Sequence, residues 1–115
     1  MRRVLTGIVS IVALTAFAGG AWAGQDAKAK GEKVYADQKC SLCHAIAGKG
    51  NAKGALDDVG SKLKADEIRQ WIVDPATMAA KAKADRKPPM PGKYKDLPKD
   101  DLDNLVAYLS SLKKS

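Results

Sequence analysis

The chain has 115 residues and a formal net charge of +7, from 20 Lys plus Arg against 13 Asp plus Glu. This length allows one small domain and excludes a second. Three Tyr, two Trp and one Phe are too few aromatic side chains to build a large apolar core. Because folding must offset roughly 1–2 kcal/mol of backbone entropy per residue, we expect another group to complete the core.

The first 23 residues have the pattern of a cleaved secretory signal peptide. Arg2 and Arg3 open the chain, an apolar run follows over residues 4–18, and small residues precede and include Ala23. The run is shorter than the roughly 20 residues that a membrane-spanning helix needs, so a permanent anchor is the less favoured alternative. We therefore predict a mature domain over residues 24–115, exported to the periplasm without stable membrane insertion.

The first part of the mature chain predicts a helix followed by a loop. The helix is predicted over residues 26–38, with Asp26 as N-cap and Gly31 and Tyr35 on one face. Glycines mixed with Asn and Asp predict an ordered loop over residues 47–60. No strand pattern is visible in the chain, so the sequence predicts an all-α fold.

The second part predicts three helices. Apolar spacing indicates a helix over residues 64–73, and Asp74-Pro75 then forms the N-cap and first position of a short helix that ends at Ala82. The last helix is predicted over residues 99–113. Its apolar stripe consists of Leu102, Leu105, Val106, Leu109 and Leu112.

The segment Cys40-Ser41-Leu42-Cys43-His44 contains the only two cysteines and the only histidine of the chain. In a C-x-x-C-H pattern the two thiols can add across the vinyl groups of a haem while the adjacent imidazole binds the iron. A zinc site would lack a fourth Cys or His ligand, and a thioredoxin-like pair would need a preceding strand. A structural disulfide would leave His44 unexplained. Covalent haem c is favoured over these three alternatives.

The second axial ligand of such an iron must be a methionine, a lysine or no residue, because His44 is the only histidine. Met78 and Met90 are the methionines outside the predicted leader, and a thioether ligand raises the reduction potential of a c-type haem. Met90 is favoured because Pro89 and Pro91 restrict its backbone. The expected iron ligands are therefore His44 and Met90, with Met78 as the alternative to Met90.

These features resemble the monohaem class I cytochromes c of bacteria. The matching pieces are the C-x-x-C-H motif, residues 54–60, residues 88–91 and residues 105–109, within a span over residues 31–112. The resemblance implies a small fold in which the N- and C-terminal helices cross. In such a fold Gly31 allows the close approach of the helices, and Tyr35 meets Leu105 and Tyr108.

The resemblance also implies groups that support the haem. A ligating histidine donates its second ring proton to a neighbouring acceptor, and the backbone carbonyl of Ala55 is the expected partner of His44. Family members often carry proline at the position of Ala55. Trp71, Tyr94 and Arg86 are candidates for contact with a haem propionate, although Trp71 can equally pack within its own helix.

An iron with both axial positions filled has no site for a substrate, so the sequence predicts a one-electron carrier and not an enzyme. The alternatives are a haem subunit of a larger oxidoreductase and a five-coordinate gas sensor or peroxidase. Lysines near the haem motif and Met90 predict docking to acidic patches on redox partners. These are Lys39, Lys49, Lys53, Lys81, Lys83 and Lys87. Nucleic acid is not an expected partner, and a monomer is the expected state.

Overall fold

The computed structural model describes residues 19–113, which form five helices and one small hairpin. The helices are α1 (Gly19–Asp37), α2 (Val59–Lys62), α3 (Ala65–Val73), α4 (Pro75–Ala82) and α5 (Lys99–Ser110). The strands are β1 (Ala45–Ile46) and β2 (Lys49–Gly50), which pair antiparallel. Single 3₁₀ turns cover Cys40–Leu42, Ala52–Gly54 and Gly92–Asp96. Most of the predicted leader over residues 1–23 lies outside the described residues, and its cleavage stays a prediction.

Helices α1 and α5 make the most extensive contact between any two elements of the described chain. Gly31 lies at this contact, where a Cβ atom would overlap the backbone carbonyl of Asn104 and the Cβ of Tyr108. One turn further on, the rings of Tyr35 and Tyr108 meet edge to face, with centroids 6.1 Å apart. Leu105 belongs to the same core cluster as Tyr35. The predicted packing of the terminal helices at Gly31 is confirmed.

The core is completed by α3 and the last 3₁₀ turn. The spacing of Ile68 and Ile72 places both side chains on the buried face of α3. The buried members of the core are Val34, Tyr35, Ile68, Ile72, Tyr94, Leu105, Val106 and Leu109. An ion pair of 2.6 Å between Arg69 on α3 and Asp103 on α5 joins the two helices at their exposed edge.

Two predicted helix ends differ from the structure. Helix α1 continues upstream of Asp26, which is therefore not an N-cap but pairs with Lys30 one turn later at 3.0 Å. Helix α5 ends at Ser110, because the chain turns so that the carbonyl of Leu112 accepts the N–H of Gly60 at 2.8 Å. Helices α3 and α4 begin within one residue of their predicted starts and end as predicted.

The glycine-rich region contains the β1–β2 hairpin and α2, which the sequence did not predict. The hairpin turn places Ala47 and Gly48 at φ 53° and 78°, the positive values that a tight two-residue turn requires. The backbone N–H of Ala47 donates to Asp57 Oδ1 at 2.7 Å, which holds the turn in place. Strands of two residues carry no alternating pattern, and the fold stays mostly helical.

Candidate functional site

The cysteine motif follows directly from the end of α1. Lys39 adopts the left-handed conformation, with φ 56°, and turns the chain out of the helix. The backbone N–H groups of Cys43 and His44 both donate to the carbonyl of Cys40, at 3.1 Å and 2.9 Å. The motif therefore forms a single tight turn. Both thiols are free and half-buried, and no disulfide links them.

His44 is held by the backbone of the next 3₁₀ turn. Its Nδ1 lies 2.9 Å from the carbonyl oxygen of Gly54, so the prediction that Ala55 is the acceptor is wrong. Ala55 is instead bridged to Ala45, beside the bond from the Leu56 N–H to the Ala45 carbonyl. A Cβ on residue 54 would overlap the backbone carbonyl of Cys43 and press against the His44 ring, so this approach requires glycine. The hydrogen bond fixes the ring orientation and leaves Nε2 as the nitrogen that a metal could bind.

Burial controls the protonation of the motif. It lowers the pKa of His44, an effect that the hydrogen bond to Gly54 opposes and the nearby Arg86 guanidinium reinforces. The imidazole is therefore neutral at pH 7, the form that binds a metal. Burial also raises the pKa of the Cys40 thiol to about 11 in the folded chain without cofactor. A thiol with so high a pKa is a poor nucleophile at neutral pH.

An apolar cavity of about 210 Å³ lies between the motif, α3, α5 and the Met90 segment. Cys40, His44 and Met90 all face this cavity. The apolar and aromatic residues around them are Tyr35, Leu56, Val59, Leu63, Ile68, Trp71, Ile72, Tyr94, Leu105 and Leu109. A neighbouring cavity of about 410 Å³ shares His44 and Met90 and adds Cys43 and Arg86. Met78 lines neither cavity, which favours Met90 as the residue available to an iron opposite His44.

Other predicted supporting residues are also brought to this region. Trp71 and Tyr94 line both cavities, and Tyr94 is buried. Arg86 donates from Nη2 to the backbone carbonyl of Cys43 at 2.6 Å, a bond that no local pattern predicts. Contacts of these residues with a haem propionate stay predictions. The hydroxyl of Tyr35 is buried at the cavity without a hydrogen-bond partner in the described chain, and burial raises the pKa of Tyr35 to about 12.

The donor set fits a covalently attached haem. Two thiols can form thioethers, and an imidazole and a thioether can provide axial ligands beside an apolar cavity. Among residues 19–113, no three His, Cys, Asp or Glu side chains form a group that could hold a metal ion, so the zinc alternative gains no support. Within the same residues, no helix has the length and apolar character needed to cross a membrane.

Comparison with known proteins agrees with this site. The sequence profile of the cytochrome c family matches residues 28–113, well over half of the chain. The chain therefore belongs to the cytochrome c family, as a class I monohaem member. This membership implies a covalently bound haem c.

One curated relative extends the comparison. Cytochrome c oxidase subunit 2 of Alkalihalophilus pseudofirmus (strain ATCC BAA-2126 / JCM 17055 / OF4) is 30% identical over 93 residues, covering 73% of this chain. The alignment covers 25% of that protein, so the chain spans about a quarter of its length. No solved structure matches the chain.

Proposed function

We propose that the protein is an exported one-electron carrier whose haem is attached through Cys40 and Cys43 and ligated by His44 and Met90. The observation that carries this proposal is the joint position of Cys40, His44 and Met90 at one apolar cavity. When bound, the haem supplies an iron centre that accepts and releases a single electron. The protein residues hold this centre in one geometry, so that electron transfer needs little rearrangement.

Each ligating residue is restrained by its surroundings. The Gly54 carbonyl orients His44 at 2.9 Å. Pro89 and Pro91 limit the backbone of Met90, which reduces the entropy lost when its sulfur binds. The apolar side chains that line the cavity disfavour water, and Arg86 donates a hydrogen bond to the Cys43 carbonyl at the edge of the site. Because His44 and Met90 would both bind the iron, no coordination position would be left for a substrate, which favours a carrier over an enzyme.

The surface around the motif favours acidic redox proteins as partners. Leu42, between the two cysteines, is 71% exposed and is the one exposed large apolar side chain of residues 24–113. Lys39, which is exposed, directly precedes the motif. Lys49 on β2 and Lys53 in the following 3₁₀ turn are also exposed. Asn51, which lies between them in the chain, hydrogen-bonds to the motif. An apolar centre with lysines around it suits a negatively charged docking surface, with association that weakens as salt increases.

The location and state of the protein are part of the same proposal. The pattern of residues 1–23 supports export to the periplasm and removal of the leader, which leaves no segment inserted in the membrane. Haem attachment outside the cytoplasm is consistent with this route. The exported protein is proposed to act as a monomer that does not bind nucleic acid. Mass spectrometry of the exported protein tests both the cleavage after Ala23 and the mass added by one haem.

Visible spectroscopy of the exported protein tests the ligand set. We expect sharp c-type bands on reduction, a sulfur-to-iron charge-transfer band in the oxidised form, and no change on adding carbon monoxide. Met90→Ala should lose the charge-transfer band and bind carbon monoxide quickly, whereas the matched control Met78→Ala should keep the original spectrum. Rapid carbon monoxide binding by the unmodified protein would instead favour the five-coordinate gas sensor or peroxidase. Absence of haem bands would refute covalent haem.

A second candidate is a haem subunit of a larger oxidoreductase. The observation in its favour is the 30% identity to cytochrome c oxidase subunit 2 over 73% of this chain. Size-exclusion chromatography of a native extract separates the two functions. A carrier elutes at the mass of the single chain, and a subunit elutes with a larger complex that keeps the haem absorbance.

A further inference from the structure

Arg86 connects three separate parts of the site. It lies on the exposed segment between α4 and Met90. Its Nη2 donates to the carbonyl of Cys43, the residue before His44, at 2.6 Å. Its Nη1 lies so close to Gly54 that a Cβ there would overlap it. One side chain thus contacts the cysteine motif and the turn that accepts the His44 proton, and it is itself only four residues from Met90.

The position of the guanidinium gives it an electrostatic role. Its positive charge lies beside the hydrogen bond between His44 and Gly54, because the same guanidinium donates to the Cys43 carbonyl and reaches Gly54. A hydrogen bond from a charged donor is stronger than one from a neutral donor, which favours a persistent contact with Cys43. A fixed positive charge near a redox centre favours the form that carries the extra electron.

We propose that Arg86 is a positioning residue that fastens the Met90 segment to the His44 side of the site and favours the reduced iron through its fixed charge. The inference rests on the proposed ligation by His44 and Met90. The contact joins residues 43 positions apart in the chain. Releasing it would therefore free the Met90 segment at its N-terminal end, where the chain between Lys83 and Pro89 is exposed.

Three variants of the haem-loaded protein separate the effect of the Arg86 charge from the effect of its hydrogen bond to the Cys43 carbonyl. Arg86→Gln removes both, and Arg86→Lys keeps the charge. Lys95→Gln removes the same charge from an exposed side chain five residues after Met90. Two quantities are measured in each: the midpoint reduction potential, and the rate at which imidazole displaces the methionine ligand of the oxidised protein.

We expect Arg86→Gln to lower the equilibrium constant for reduction by about threefold to tenfold, where tenfold equals 59 mV for one electron. Imidazole should bind several times faster to this variant than to the unmodified protein. Arg86→Lys should keep the reduction constant within about twofold. Lys95→Gln should change neither quantity by more than about twofold, because this side chain lines neither cavity of the site and solvent screens its charge. Equal effects of Arg86→Gln and Lys95→Gln, or no effect of Arg86→Gln, would overturn the role of Arg86.

The unmodified protein distinguishes this inference from the proposed function. If its haem lacks the sulfur-to-iron charge-transfer band, ligation by Met90 fails, and the inference fails with it. If the band is present while Arg86→Gln behaves as the unmodified protein does, the proposed function stands and only the role of Arg86 is refuted. Circular dichroism of Arg86→Gln and Arg86→Lys establishes that each variant is folded.

Discussion

Replacement of Gly31 by alanine tests the packing that positions the site. The added Cβ would overlap the backbone carbonyl oxygen of Asn104 and the Cβ of Tyr108. A backbone carbonyl in the middle of α5 cannot rotate away, so the two helices must separate. The separation would loosen the contact between the rings of Tyr35 and Tyr108, whose centroids are 6.1 Å apart.

The magnitude combines two opposing terms. Overpacking a tightly packed contact costs about 1–3 kcal/mol, and an overlap with backbone belongs at the upper end of this range. Alanine is favoured over glycine in a helix interior by about 1 kcal/mol. We therefore expect Gly31→Ala to lower the free energy of unfolding by about 2 kcal/mol, a large part of the stability of a domain this small.

Guanidinium unfolding of the haem-loaded protein, followed by far-UV circular dichroism, measures this change. The matched control is Ala29→Gly, at an exposed position of α1. It exchanges the same two residue types in the opposite direction and reports helix propensity alone, with an expected loss of about 1 kcal/mol. If Gly31→Ala is as stable as the unmodified protein or more stable, close approach of α1 and α5 does not depend on glycine, and the packing argument is wrong.

Two further substitutions test contacts around the site. Gly54→Ala places a Cβ in overlap with the Cys43 carbonyl and against the His44 ring, which displaces the carbonyl that accepts from His44. Because this hydrogen bond makes the imidazole a more basic ligand, we expect a higher reduction potential or loss of haem incorporation, measured by redox titration and haem content. Hydrogen bonds from Arg69 and Lys99 hold the pKa of Asp103 below its ordinary value. These contacts therefore stabilise the fold fully above about pH 4, the ordinary pKa of the unfolded chain. The stabilisation is lost as the pH falls through the lower pKa of the folded state. Asp103→Asn should therefore lower the urea midpoint at pH 7 and converge with the unmodified protein near pH 2, and an equal difference at both pH values would contradict the ion-pair explanation.

The parts of the site that could be predicted from the sequence are formed by residues that lie close together in the chain. The C-x-x-C-H motif fixes Cys40, Cys43 and His44 within one turn, because neighbouring residues share a local backbone geometry. Helices α3 and α5 were predicted because their apolar residues recur at the helical period. Met90 was favoured because prolines flank it, and the structure brings it to the same cavity as His44.

The parts that the sequence missed depend on the path of a loop or on distant contacts. Ala55 and Gly54 are adjacent, and only the course of the 3₁₀ turn decides which carbonyl reaches His44. Arg86 lies in a stretch of mixed charge with no periodicity, and its partner Cys43 is 43 residues away. Neither contact leaves a local pattern, so neither could be derived from residue types in order.

The apolar cavity predicts that the fold depends on its cofactor. When a group is removed from a packed interior, the cavity left behind lowers the free energy of unfolding by about 24 cal/mol for each Å³. For the cavity of about 210 Å³ between His44 and Met90, this amounts to about 5 kcal/mol. A domain of this size has a total stability of about 5–14 kcal/mol. We therefore expect the cofactor to supply a large share of the free energy of folding.

The double variant Cys40→Ala/Cys43→Ala, purified without haem, tests this dependence. We expect it to lack near-UV circular dichroism and to unfold without a cooperative transition, because the cavity side chains lose their packing partner. Met90→Ala is the matched control, since it keeps the covalent haem and loses one ligand, and it should still unfold cooperatively. If the haem-free double variant unfolds cooperatively at the midpoint of the loaded protein, the apolar residues around the cavity form a sufficient core by themselves, and the inference from the small number of aromatic residues is wrong.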